Sequence, residues 1–146
     1  MIREQAERWL AAHGDEAIAW RRHLHSHPEL SHQEHQTTEF IAAKLREYGL
    51  EPHLFATGMY VDIGPDGPRV GIRGDIDALP IHELTGLLFA SQHPGVMHAC
   101  GHDVHATIAL ATACALAEAD QRGKLPVGVR VIFQPAEEVM DGGAPR

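Results

Sequence analysis

ATIALATACALAEADQRGKLPVGVRVIFQ, residues 106–134, changes character part-way along. Ala106 to Ala119 has the alanine and leucine content of a well-packed helix. Beyond a loop at Pro126, GVRVIFQ, Gly128 to Gln134, is a short apolar run of β-branched and aromatic residues, which predicts a buried strand. Another strand-like segment, 69–76, precedes the helix. Strand, helix, strand in this order predicts a right-handed crossover between two parallel strands, so the fold class is α/β.

Upstream, segments 52–56, 58–64 and 69–76 carry β-branched or aromatic residues, and GPDG at Gly64 to Gly67 is a turn between the last two. The expectation is a hairpin of 58–64 with 69–76. Residues 2–12 and 15–26 read as two helices, separated by Gly14 as a stop, with Asp15 as the next N-cap. Pro28 ends the second. SHQE, Ser31 to Glu34, fits a capping box opening a third helix, which carries Thr37, Ile41, Leu45 and Tyr48 on one face and stops at Gly49. There is no internal repeat, low-complexity tract or linker.

The chain has 146 residues, 44% apolar and 22% charged, the composition of one globular domain. A formal charge of −8 disfavours a phosphate-rich partner, and the one basic cluster is Arg21, Arg22 and the histidines that follow, so no nucleic-acid partner is expected. MIREQAERWL lacks the apolar core and cleavage site of a secretory signal, and Ala106 to Ala117 falls short of the roughly 20 residues a membrane span needs. The expected setting is cytoplasmic, away from membranes. Cys100 and Cys114 are the only cysteines and read as reduced thiols.

Three stretches carry chemistry. MHACGHDVH, Met97 to His105, crowds a cysteine, three histidines and an aspartate into nine residues. Thiolate and imidazole are strong donors to zinc-like cations, and Gly101 lets Cys100 and His102 turn toward one ion. Taken alone, a buried thiol beside ordinary histidines explains it as well. In RGDIDALP, Arg73 to Pro80, Asp75 and Asp77 share a face at a strand end, or else cap a turn. In QPAEE, Glu137 and Glu138 follow a buried strand, where a solvated acidic loop is the plain alternative. Together the stretches are more specific, because open α/β sheets place ligands beyond the carboxyl ends of parallel strands. Adjacent glutamates point apart, so one can bind metal while the other moves a proton, which is the division of labour a hydrolytic metal centre needs.

RRHLHSHPEL, RGDIDALPI, MHACGHDVH and IFQPAEE, in this order, resemble the metal-dependent amidohydrolases that include hippurate hydrolases, N-acyl-amino-acid amidohydrolases and indoleacetyl-amino-acid hydrolases. These form a subfamily of the aminoacylase and carboxypeptidase superfamily. The resemblance implies a three-layer α/β/α catalytic domain with a mixed, mainly parallel sheet, of which residues 1–146 are the N-terminal portion. A lid domain that dimerises, and the C-terminal part with further ligand histidines, are expected to lie beyond it. It also implies two divalent metal ions (zinc, manganese, nickel or cobalt), an N-acyl amino acid or small peptide as substrate, and a homo-oligomer at full length. By motif position Cys100, His102 and Glu138 are metal ligands, Glu137 is the general base, and Asp77 orients a ligand histidine. Asp75 stands where the wider superfamily has a ligand histidine, a replacement typical of the cysteine-using branch, and is left without an assigned ligand role.

His23, His25, His27, His32 and His35 are expected on a solvated surface. His98 and His105 flank the ligand pair as neighbours of the site or ordinary helix residues. With the resemblance, two function classes remain: an amidohydrolase, whose 146-residue portion alone is expected to be inactive, or a truncated, non-catalytic metal-binding remnant.

Overall fold

The computed structural model describes residues 2–121, 123 and 125–140. Its elements are α1 (Ile2–Ser26), α2 (His35–Glu47), β1 (His53–Leu54), β2 (Met59–Ile63), β3 (Arg69–Asp75), α3 (His102–Gln121) and β4 (Gly128–Gln134). The four strands form one sheet in the order β1-β2-β4-β3. β3 and β4 are parallel, joined through α3 as the crossover reading requires, while β1–β2 and β2–β4 are antiparallel. The sheet is therefore mixed.

The expected hairpin of β2 with β3 does not form, because β4 lies between them. The turn after β2 reverses the chain, but its strands are spread apart. β4 then buries Val129, Val131 and Phe133 while pairing along both edges, Met59 with Phe133 on one side and Gly74 with Phe133 on the other. At Gly128 the connection crosses so closely that a Cβ would sit 2.6 Å from the Pro65 carbonyl oxygen. Only glycine fits there.

Nor does the chain break at Gly14, and α1 is a single helix. A mid-helix glycine costs about 1 kcal/mol relative to alanine. Trp9, Ala17, Trp20 and Leu24 recur at helical spacing on both sides of it and are buried in the core. Burying each large apolar side chain contributes about 1.5–3 kcal/mol, which outweighs the glycine.

The start of α2 also differs from expectation. Glu34 occupies the N-cap position without a side-chain cap bond. The Glu29 carboxylate takes that role, accepting from the amides of Gln36 at 3.1 Å and Thr37 at 2.8 Å. Ser31 and Glu34 point elsewhere, toward Asp77 and Ala136. The far end of the helix closes as read: Gly49, at φ 76°, and Leu50 donate back to Arg46 and Leu45 in a Schellman arrangement.

One face of the sheet is covered. Met59, Val61, Ile63, Val129, Val131 and Phe133 share a core with Ile41 and Leu45 of α2, Ala106, Leu110 and Ala113 of α3, and the indoles of α1. The other face is polar: Arg130 donates from Nε and Nη2 to the two Asp62 oxygens, each at 2.7 Å, and lies 4.2 Å over the Tyr60 ring. Among the described residues the α/β/α arrangement is thus represented by its sheet and one helical layer. None of the described helices is long and apolar enough to cross a membrane.

His25 corrects the surface reading of its cluster. It is buried, with Nδ1 2.8 Å from Asp103 at the start of α3 and Nε2 3.0 Å from Glu83 in the long segment before it. Arg21 adds an ion pair to Asp103 at 2.9 Å. Burial alone would raise the Glu83 carboxyl, but hydrogen bonds from the Thr85 hydroxyl, the Ser91 amide and His25 push it down to about 2. This clamp ties the segment across residues 80–97 to α1 and α3. His23, His32 and His35 are exposed as expected, and His27 is half-buried.

Candidate metal centre

The residues after β3 are laced between two other motifs. Ile76 donates to the Gln134 carbonyl and so extends the β3–β4 pairing, while Ala78 donates to Glu29 of the HPEL stretch. Leu79 exchanges two hydrogen bonds, each 3.0 Å, with Met97. Asp77 is thereby fixed beneath the start of α3. There Gly101, at φ 86°, accepts from Val104 and His105 and sets His102 as the first helical residue. A left-handed residue at this point needs glycine.

His102 is buried, and its Nδ1 donates to the Asp77 carbonyl at 2.9 Å and to Asp77 Oδ1 at 3.2 Å. With the proton held on Nδ1, Nε2 is free to bind. It faces Glu138 Oε1 at 3.5 Å, Asp75 Oδ2 at 3.6 Å and Glu137 Oε2 at 3.7 Å. Burial works against charge on His102, but the hydrogen bond to Asp77 and the charges of Asp75 and Asp77 raise its pKa above the usual imidazole value. Asp77 is the converse case. Burial would raise it, yet hydrogen bonds from His102, the Glu138 amide, Ser31 and the Glu137 amide hold it well below the carboxylate range.

Donor atoms of Cys100, His102 and Glu138 lie within 4.8 Å of one another. Glu138 Oε1 is buried with no hydrogen-bond partner among the described residues. A buried carboxylate oxygen without such a partner, beside a thiol and an imidazole nitrogen, is a donor set suited to a zinc-like cation, so the residues fit a metal. The hydrogen bond and charge of Glu138 raise the Cys100 thiol, and a cation would reverse that preference. Glu137 is more exposed than Glu138, at the rim of the group.

The structure thus brings Cys100, His102, Glu138, Glu137 and Asp77 together. It also adds residues the sequence did not assign. Asp75, His102 and His105 make a second possible ligand group sharing His102. Asp75 Oδ1 accepts from His105 Nδ1 at 2.7 Å, and Arg73 lies 2.9 Å from Oδ2. The i,i+3 spacing of His102 and His105 on α3 was the available signal. His98 is buried with neither ring nitrogen paired among the described residues, and burial above all pushes it down to about 4.

The sequence profile of peptidase family M20/M25/M40 matches residues 71–146, more than half of the chain. The chain belongs to that family. An N-acyl-L-amino acid amidohydrolase of Geobacillus stearothermophilus is 44% identical over 99% of this M20 chain and 40% of its own length. An N-acetyl-L-cysteine deacetylase of Bacillus subtilis (strain 168) is 48% identical over 86% of this chain and 30% of its own. A solved structure from Bacillus subtilis, described as a dinuclear metal binding peptidase of the M20 family, superposes with a TM-score of 0.84 at 47% identity, covering 90% of this chain and 38% of that one. The M20 chain therefore spans about a third of the length of such relatives.

Proposed function

We propose that these residues serve a metal-dependent amidohydrolase that cleaves the amide bond of N-acyl amino acids or related small amides and peptides. The carrying observation is the convergence of Cys100, His102 and Glu138, one oxygen of Glu138 being orphaned, with a second carboxylate, Glu137, at the rim. The names of the relatives point to the same substrate class.

Cys100, His102 and Glu138 would hold one divalent ion, zinc, manganese, nickel or cobalt, of a two-metal centre. Cations so placed acidify water and polarise a carbonyl oxygen. Asp77 keeps the proton on His102 Nδ1, leaving Nε2 as donor. Glu137 takes a proton from the attacking water and delivers it to the departing amide nitrogen. The partner is a small molecule, not nucleic acid or membrane; the full-length protein is read as a cytoplasmic homo-oligomer, and residues 1–146 alone are expected to bind metal without useful turnover.

The test separates the two glutamates in the full-length protein. Glu137→Gln should keep metal and lose at least about a hundredfold in kcat. Glu138→Gln should instead lose metal. Interchanged results would exchange the two roles, and a full-length protein that binds metal but cleaves no N-acyl amino acid would leave the non-catalytic reading.

A further inference from the structure

We infer that Glu34 is a positioning residue for the Glu137–Glu138 pair, holding the turn that aims both carboxylates; this rests on the roles proposed for that pair. The turn is strained. Ala136, just before the pair, is fully buried and adopts φ 51°, a left-handed conformation that a residue with a Cβ takes up only when its surroundings enforce it.

What enforces it is visible in the amides. Ala136 donates to Glu34 Oε1 at 2.7 Å, Glu138 donates to Asp77 Oδ2 at 3.0 Å, and the Glu137 amide also bonds Asp77. Three successive amides therefore end on two buried carboxylates. Ser31, three residues before Glu34, donates to the same Asp77 oxygen at 2.7 Å and joins the two braces. Ser31 and Glu34 both come from SHQE, where a helix cap would have kept these side chains local.

A purely structural reading of Glu34 leaves its burial unexplained. The side chain is fully buried, does not cap α2, and its second oxygen has no partner among the described residues. A carboxyl group is costly in such a place unless an interaction requires it. The Ala136 amide is that interaction, because this turn leaves no strand partner to receive it.

The test compares Glu34→Gln, which keeps an acceptor oxygen at the same reach, with Glu34→Met, which keeps volume and removes the acceptor. Hydrogen exchange of the Ala136 amide, read by NMR on protein labelled with ¹⁵N-alanine, needs no metal. Cobalt(II) titration, read by the thiolate charge-transfer band of Cys100, reports the ligand geometry. Glu34→Gln should stay within about twofold of the parent in both. Glu34→Met should fold, by circular dichroism, yet exchange Ala136 at least about tenfold faster and bind cobalt about 10–100-fold more weakly, as loss of a group that orients a ligand does. If it fails to fold, Glu34→Asp, one methylene too short to reach, should give the same two losses. A folded Met or Asp variant that matches the parent in both readouts, or a Gln variant as impaired as Met, overturns the inference. Cobalt binding indifferent to Cys100→Ala would instead sink the metal reading, and the exchange data would still judge Glu34.

Discussion

Gly74 and Gly71 lie on the same strand, three residues apart, and alanine should be tolerated at Gly71 but not at Gly74. A Cβ on Gly74 would stand 2.9 Å from the His105 carbonyl oxygen and 3.1 Å from Ala109 Cβ, both on α3. Ordinary contacts begin near 3.4 Å, and the nearer atom is helix backbone, so α3 must move by about half an ångström. Overpacking of this kind costs about 1–3 kcal/mol, while replacing glycine restricts the unfolded chain and returns about 0.4–1 kcal/mol. The net is a loss of about 1–2 kcal/mol. At roughly 2–4 °C per kcal/mol for a chain near this size, Gly74→Ala should melt about 2–8 °C lower. Around Gly71 nothing lies within 4 Å, so Gly71→Ala should be neutral or raise the melting temperature slightly. Because α3 begins at His102, Gly74→Ala should also weaken metal binding whereas Gly71→Ala should not. Thermal denaturation followed by circular dichroism decides it: equal melting temperatures would refute the close approach of β3 and α3.

Cys100→Ala should reduce metal content by elemental analysis, and unchanged stoichiometry and affinity would remove Cys100 from the ligand set. Asp77→Asn places an amide donor among the donors of His102, Ser31, Glu137 and Glu138, so it should cost about 1–3 kcal/mol in urea denaturation and weaken metal binding about 10–100-fold. Glu83 is held at about 2, below its ordinary 4.5, so the folded state binds fewer protons than the unfolded state within that window. Its stabilisation is present above pH 4.5 and is lost as pH falls toward 2; Glu83→Gln should flatten this part of the stability–pH curve, and an unchanged acid limb would count against the clamp. Gly58→Ala combines φ 77° with a Cβ 2.6 Å from the Phe133 carbonyl oxygen, so it should be severely destabilising, as soluble yield and melting temperature would show.

What could be read from the sequence divides along a physical line. The β3–α3–β4 unit was legible because local pattern and handedness determine it; that Cys100, His102, Glu137, Glu138 and Asp77 gather at one end of the sheet was legible because ligands collect beyond the carboxyl ends of parallel strands, while their separate roles rest on the family resemblance. The hairpin was misread because a turn fixes chain direction but not which strand fills the gap. Gly14 misled because propensity is a small term beside two buried indoles. SHQE has the letters of a capping box, yet Ser31 and Glu34 bond residues far along the chain, as does His25 with Glu83 and Asp103. No local pattern encodes such partners.

The place of β4 in the sheet also bears on the order of assembly. β2 and β3 are made early but do not touch each other: among the described residues β2 has only its two-residue ladder with β1, and β3 has no strand partner, until β4 inserts between them. No hairpin joins β2 to β3, and the one between β1 and β2 spans only two residue pairs, so long segments must close before strand pairing on β4 rewards the lost chain entropy. The helices can form locally in the meantime, while Met59, Val61 and Ile63 remain uncovered. Refolding from denaturant should therefore be slow for a chain of this length and sensitive to concentration, since an unpaired apolar strand can find the edge of another molecule before its own last strand arrives.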